Sequence, residues 1–383
     1  MKKKLLFINK SFEFGGIQSA LSNLLGAISA EYDIDIAIFN DNGPFRQSVP
    51  ENVKLVELHP FVRVLGMNKQ DTSSVCTFSQ KFLKYFLGVW TMFFGNKLPV
   101  SFLLAFQKRL GPYDAVISYH QETSAKTLVT GFGRFALEKC DAKKKIAWVH
   151  SDFQRTRLAT AENHETYRKF DLIICVSQSC MKSFLNRYPD LAPITDFCYN
   201  ILPSQAILDK AEEKAEVIFD EDKINILSVG RMTKEKGFAE AAAALAPILK
   251  NHSNITWYII GNGPEESAIT ELVLKEQLSD RIILTGFKDN PYPYIKAADY
   301  ILIPSFHETF SMVAAEAHLL NTRVIARDID IMREVCDPSS DIICDITPES
   351  LSQIQWIKKE KQDPVETNIS VGDSINMFRS IVE

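Results

Sequence analysis

No two cysteines of this chain stand in C-x-x-C spacing; the seven present, at positions 76, 140, 175, 180, 198, 336 and 344, are odd in number and scattered. That pattern argues against a zinc ribbon and a disulfide framework. It predicts reduced, buried thiols of a cytoplasmic protein. Nowhere do 18 apolar residues run without interruption, so no membrane-spanning helix is expected. The opening Met-Lys-Lys-Lys looks like the start of a secretion signal, but its apolar stretch ends at Asn9 and Lys10. That stretch is too short for a signal's hydrophobic region and reads better as a first buried strand. Asp-Ile-Asp occurs at 33–35 and again at 328–330, yet with 48 acidic residues in the chain such matches arise by chance, and no metal site is expected.

What is present is ordinary globular composition, unevenly charged. Residues 1–200 carry 25 Lys and Arg against 18 Asp and Glu, whereas residues 201–383 carry 18 against 30. A basic half is suited to facing something anionic. At 383 residues the chain has room for two domains, each able to bury its own core.

Short apolar runs alternate with longer amphipathic stretches. Strands are expected at Lys4–Asn9, Ile34–Phe39, Val53–Leu58, Ala115–Tyr119, Lys145–His150 and Leu172–Ser177. The pattern restarts at Ile224–Val229, Ile255–Ile260, Arg281–Leu284, Tyr300–Ile303 and Arg323–Ala326. Near-continuous Ile, Val, Leu and Phe without polar alternation is what parallel strands covered on both faces need. The α/β alternation predicts doubly wound sheets, and the restart predicts two of them. Helical length and periodicity appear at Phe238–Lys250, Glu265–Gln277 and Val371–Val382. Asn200–Lys223 reads as a charged linker with a short helix, and Lys143–Lys145 as a solvated loop. The expected domains are 1–200, 201–365 and a terminal helix within 366–383 that packs back on the first domain.

One segment, Ser79–Leu110, mixes Phe82, Phe86, Trp90, Phe93, Phe94, Phe102 and Phe106 with Lys81, Lys84, Lys97, Lys108 and Arg109. Aromatics among cations suit contact with the inner membrane surface. The same residues would also serve simply to cover the first sheet.

Three blocks of the second half carry the chemistry, each at a strand end, where ligands of open α/β sheets bind. In Ser-Val-Gly-Arg-Met-Thr-Lys-Glu-Lys-Gly, residues 228–237, a strand ends at Gly230 and a loop presents Arg231 and Lys236 before Gly237 opens a helix. A forked guanidinium and a flexible ammonium beside a helix N-terminus make an anion site. In Tyr-Ile-Ile-Gly-Asn-Gly-Pro-Glu, residues 258–265, Gly261 and Gly263 permit a sharp turn close to a ligand, and Pro264 suits a first helical position. The third glycine of a dinucleotide fingerprint is missing there. In the block 303–317, Glu308 lies on a loop, a helix starts near Ser311, and Glu316 sits more than a turn inside it. Backbone N–H groups at Ser311 and Met312 would face a phosphate.

Together these blocks resemble the family 4 retaining glycosyltransferases of the GT-B fold. Glu308 and Glu316 reproduce that family's E-x7-E spacing, with Asp299-Tyr-Ile-Leu-Ile-Pro-Ser before them. Phe14-Gly15-Gly16-Ile17 resembles its glycine loop, and Trp148-Val-His150 the strand end supplying an active-site histidine. The resemblance implies two Rossmann-like domains facing across a cleft, with a nucleotide sugar, UDP- favoured over GDP-, as substrate and no cofactor or metal. It gives Arg231 and Lys236 the donor diphosphate and Glu316 the ribose hydroxyls. Glu308 and the backbone of Thr309, Phe310, Ser311 and Met312 take the sugar and phosphates. Gly16 approaches the diphosphate, Gly230, Gly261 and Gly263 belong to the donor-binding site, Phe287 lies near the base, and His150 contacts the sugar. Where family members often carry glycine, this chain has Thr309 and Ser311. The expected acceptor is a glycan or lipid-linked saccharide of a bacterial surface polysaccharide pathway, and no nucleic acid is expected as partner. An epimerase or phosphorylase on the same fold, and an accessory subunit without chemistry, remain alternatives. Neither the further carboxylates nor the cofactor lysine of the first two is evident, and loss of Arg231, Lys236 or either glutamate would have marked the third.

Overall fold

The computed structural model describes residues 2–13, 15–156, 158–216, 219–359 and 371–383. They form two compact units, Met1–Ile201 with Gly372–Glu383, and Leu202–Val371.

The first unit begins with β1 (Lys4–Ser11), α1 (Gly16–Ile28), β2 (Asp33–Asn40) and β3 (Lys54–Val56). Four helices follow, α2 (Pro60–Arg63), α3 (Lys69–Val75), α4 (Phe78–Phe94) and α5 (Lys97–Ala105). It continues with β4 (Leu110–Ser118), α6 (Phe132–Lys139), β5 (Cys140–Val149), α7 (Ala161–Tyr167), β6 (Leu172–Cys175), α8 (Gln178–Leu185) and β7 (Thr195–Phe197). The strands pair in parallel, in the order β3-β2-β1-β4-β5-β6-β7.

The second unit runs α9 (Ser204–Ala211), β8 (Ile224–Val229), α10 (Phe238–Asn251), β9 (Ile255–Ile260), α11 (Glu266–Lys275), β10 (Ile282–Gly286) and α12 (Tyr292–Ala297). It ends with β11 (Tyr300–Ile303), α13 (Met312–Leu319), β12 (Arg323–Arg327), α14 (Asp330–Val335), β13 (Ile342–Cys344) and α15 (Pro348–Ser352). Its six strands are also parallel, in the order β10-β9-β8-β11-β12-β13. Each sheet therefore reverses its winding once, between β1 and β4 in the first and between β8 and β11 in the second. These are two Rossmann-like, doubly wound units.

The apolar strands lie where continuous hydrophobicity places them, inside: Leu5 to Ile8 and Ile301 are 0% exposed. Two edge strands, β7 and β13, are only three residues long, too short to be read in advance. Lys143–Lys145 is strand rather than solvated loop, because β5 starts at Cys140 and pairs Ala115 with Lys144 and Val116 with Lys145. The lysine tips escape sideways: Lys143 pairs with Asp114 at 2.7 Å and Lys145 caps the carbonyl of Leu137 at 2.7 Å. Pro264 lies in a turn, two residues before the first residue of α11, and is not its first residue.

The chain closes with α16 (Val371–Val382), which belongs to the first unit. Phe378 is 0% exposed and stacks on Phe7 with ring centroids 6.2 Å apart. Lys144 donates to the carbonyl of Ile381 at 2.7 Å, and Arg379 grips Glu31 through two nitrogens at 2.6 and 3.0 Å. Residues 366–370, expected at the start of the terminal segment, lie outside the described residues.

In the second unit a buried carboxylate ties three elements together. Asp341 accepts the Val324 N–H at 2.8 Å, the Asp337 N–H at 3.0 Å and the His318 ring Nε2 at 2.8 Å. Burial, with Asp341 beside it, pushes the Cys336 thiol far up, so it stays protonated. Removing the carboxylate strands several buried donors at once, which costs more than one lost hydrogen bond. Asp341→Ala is expected to lose about 3 kcal/mol of stability, measured as a lower urea midpoint.

Candidate active site

The loops that follow β8 and β11 leave the second sheet at its switch point, where helices depart to opposite faces and open a crevice. In this chain the two loops are joined there. The N–H of Phe306 donates to the carbonyl of Glu235 at 2.9 Å. Gly237 has φ +69°, and a Cβ added to it would lie 2.6 Å from the carbonyl oxygen of Pro304. Only glycine tolerates both conditions. Lys236 Nζ then reaches Glu308 Oε1 at 2.6 Å, and Ser305 Oγ donates to the same oxygen at 2.9 Å.

The neighbouring loop after β9 packs equally close. A Cβ on Gly261 would stand 1.9 Å from the Gly230 carbonyl oxygen, and one on Gly263 would stand 2.5 Å from that of Met232. Backbone bonds from Gly230 N–H to Ile260 and from Gly261 N–H to Gly286, each 3.0 Å, carry the contact on to the end of β10. Thus Gly261 and Gly263 have a packing reason to be glycine in addition to the ligand approach expected of them, whereas a Cβ on Gly230 would only touch the Phe238 ring at 3.5 Å. Phe287 follows Gly286 and is 55% exposed.

Arg231 is exposed and pairs with Glu235 at 3.3 Å, so its guanidinium remains accessible on this rim. Past Glu308, Thr309 is half-buried and Phe310 buried. Ser311 then adopts the left-handed region, φ 63° and ψ 73°, as the N-cap of α13. Its hydroxyl oxygen is buried without a hydrogen-bond partner. A side chain at such a position carries strain that glycine would not. The first-turn N–H groups of α13, from Met312 onward, have no acceptor inside the helix and point out of its N-terminus.

Glu316 lies one turn further along α13. The residue is half-buried, but enclosure of its carboxyl pushes its pKa up to about 8, against a hydrogen bond from Tyr292 that lowers it. Tyr292, on α12, was not singled out in the sequence; nothing in local spacing announces a partner 24 positions away.

The remaining two expected residues belong to the first unit. Gly16 begins α1, and a Cβ there would meet nothing within 4 Å. Packing inside the unit therefore does not demand glycine at that position. Phe14 of the same loop lies outside the described residues. His150 directly follows β5; its Nε2 sits 3.0 Å from the carbonyl oxygen of Tyr119. A carbonyl only accepts, so Nε2 carries the proton and Nδ1 is the acceptor of a neutral ring. Burial depresses His150 to about 3. His120, at the end of β4, is also held at about 3, by burial first and by His150 second. Sequence reading missed it, although it ends an apolar run as His150 does.

Two expectations follow. Ser311→Gly should raise the thermal midpoint by removing the left-handed strain and the orphaned hydroxyl, about 1 kcal/mol in all. For Glu316 the folded pKa is raised, so the folded state binds more protons than the unfolded one between 4.5 and about 8. Stability should therefore fall as pH rises through that window. Glu316→Gln should flatten the decline in urea titrations run across it.

Residues 209–363 match the family model described as Glycosyl transferases group 1. A curated relative, 2-deoxystreptamine glucosyltransferase of Streptomyces kanamyceticus, is 36% identical over 100 residues, 26% of this chain and 26% of that protein. A Campylobacter jejuni enzyme, N-acetylgalactosamine-N,N'-diacetylbacillosaminyl-diphospho-undecaprenol 4-alpha-N-acetylgalactosaminyltransferase, is 28% identical over 162 residues, 42% of each chain. The chain thus spans less than half the length of these two relatives. Among solved structures, Anabaena HepE in complex with UDP is similar with a TM-score of 0.59 at 17% identity, over 92% of this chain and 88% of that one. HepE in complex with UDP-glucose gives 0.58 at 15% identity, over 99% and 92%. Likeness at such identity is likeness of fold. Two Rossmann-like α/β units with these neighbours, and a group 1 match lying on the second unit, support a GT-B glycosyltransferase.

Proposed function

We propose that the chain is a retaining glycosyltransferase that moves a hexose or N-acetylhexosamine from a nucleotide sugar, UDP- before GDP-, to a glycan or lipid-linked saccharide. The observation that carries this reading is the pair of joined loops at the second switch point. They gather Arg231, Lys236, Glu308 and the N-terminus of α13 at one crevice, with Glu316 one turn further along that helix. HepE, whose structures carry UDP and UDP-glucose, supports the choice of donor. The names of the Campylobacter jejuni relative, and of a Rhizobium meliloti lipopolysaccharide core glycosyltransferase, support a surface-polysaccharide role and a lipid-linked acceptor.

In the reaction an acceptor hydroxyl attacks the anomeric carbon on the face from which the diphosphate departs. The bond from that carbon to the phosphate oxygen breaks, and the hydroxyl proton passes to the departing oxygen. The products are the new glycoside, with its configuration kept, and a nucleoside diphosphate. Negative charge grows on the diphosphate as the bond lengthens, while the sugar becomes oxocarbenium-like. Arg231, Lys236 and the N–H groups opening α13 are fixed dipoles and charges aimed at that growing charge, the largest kind of contribution a site makes. They supply the countercharge without a metal.

Lys236 has two tasks, since it holds Glu308 and also meets phosphate. Sharing Lys236, the Glu308 carboxylate keeps a second oxygen for sugar hydroxyls. Glu316 accepts from the ribose hydroxyls, and Phe287 flanks the base.

Thermal stabilisation and donor hydrolysis across UDP-, GDP-, ADP- and TDP-sugars, with EDTA present, test the reading. One nucleotide class should stabilise the protein, by about 2.7 kcal/mol at about 100 times its Kd. Lys236→Ala should lower kcat/KM about 100-fold or more, and Glu316→Ala should abolish the stabilisation. Failure of every nucleotide to stabilise the chain would overturn the proposal, and stabilisation lost in EDTA would overturn its metal-free part.

A further inference from the structure

Helix α4 is amphipathic in the reverse of the usual sense. A surface helix of a globular protein turns its apolar stripe to the core and its polar residues to water. Along α4 the buried residues are Gln80, Leu87 and Thr91, two of them polar. Phe82, Tyr85, Phe86, Val89 and Phe93 fall on one stripe by helical spacing, and all are exposed, Phe82 to 67% and Phe93 to 75%. Lys84 also points inward: its Nζ bonds the carbonyl of Met67 and, at 2.6 Å, the hydroxyl of Thr72. Burial lowers its pKa to about 8.

The inward polar groups are satisfied locally. Gln80 donates to the carbonyl of Pro60 at 2.8 Å, and Thr91 donates to that of Leu87 at 2.7 Å. The helix is capped by Thr77 and Gln80 acting reciprocally, so it forms without burying its phenylalanines. The apolar surface continues onto α5 through Leu98 and Phe102, 65% and 49% exposed. Covering the first sheet, the other use open to this segment, is left to different side chains, and the stripe is unspent.

Charge says what covers it. Between Asp71 and Asp114 there is no acidic residue, while Lys81, Lys84, Lys97, Lys108 and Arg109 all fall in that interval. Lys81, Lys97, Lys108 and Arg109 are exposed. A protein partner or a second copy would need no such exclusion of carboxylates; a surface of phosphate headgroups does. No helix among the described residues is long and apolar enough to cross a membrane, so α4 would lie in the plane of the interface, where exposed aromatics and flanking lysines belong.

We propose that the outward stripe of α4, continued by α5, is a docking surface for an anionic lipid bilayer. The phenylalanines enter the boundary between headgroups and acyl chains, and the lysines and Arg109 meet lipid phosphates. The inference goes beyond glycosyl transfer and does not depend on it.

Co-sedimentation of the full chain with vesicles tests it. Phosphatidylglycerol-containing vesicles should retain the protein, phosphatidylcholine vesicles should retain much less, and added salt should weaken retention. Phe82→Glu with Phe93→Glu should lower retention at least tenfold while the circular dichroism spectrum and thermal midpoint hold, since both side chains are largely exposed. Lys97→Glu with Lys108→Glu should lower retention on anionic vesicles alone. Equal sedimentation with and without anionic vesicles would overturn the proposal. So would a dimer in light scattering that Phe82→Glu converts to monomer in a protein that ignores vesicles.

Discussion

The second unit is organised around one place where two backbones meet. At the switch between β8 and β11 the loops after those strands would diverge with the helices they feed. The bond from Phe306 to Glu235, the ion pair of Lys236 with Glu308 and the seat of Gly237 against Pro304 hold them together instead. Because the junction uses backbone, a side chain at Gly237 would part the loops. Because it uses a partly buried ion pair, both charges are held in place at the mouth of the crevice. The neighbouring contact of Gly261 with Gly230 extends the same constraint one strand outward. The position of Arg231, of the α13 N-terminus and of Glu316 follows from this junction and from the parallel sheet beneath it.

The same chain spends strain and surface unevenly. Ser311 stands in left-handed backbone at the N-terminus of α13, where it carries strain that glycine would not. Glu316 is enclosed enough to hold its proton well above the ordinary carboxylate range. In the first unit α4 keeps phenylalanines in water and a lysine inside. Each breaks a rule that the surrounding sheets obey, and such exceptions gather where a protein meets a ligand or a surface.

Much of this could be read from residues alone. Runs such as Leu5–Ile8 and Tyr300–Ile303 are apolar on both faces, and only a covered parallel strand uses such a run, so the doubly wound class and its restart near residue 220 were set by composition. The ends of those runs named Gly230, Arg231, Lys236, Glu308, Glu316 and His150, because in a parallel sheet the ligand-facing loops are the ones that follow strands. The edge strands β7 and β13, three residues each, were too short to stand out, and the lysine-rich start of β5 owes its identity to pairing and not to hydrophobicity.

Tertiary structure alone decided which residues meet. Lys236 and Glu308 are 72 positions apart and Tyr292 and Glu316 are 24, and no periodicity links such pairs. The burial that holds His150 and His120 neutral is a property of surroundings drawn from several elements. Whether the aromatic residues of α4 face a core or the solvent is likewise absent from the helical repeat. A repeat fixes which side chains share a face, but only packing against the rest of the chain fixes where that face points.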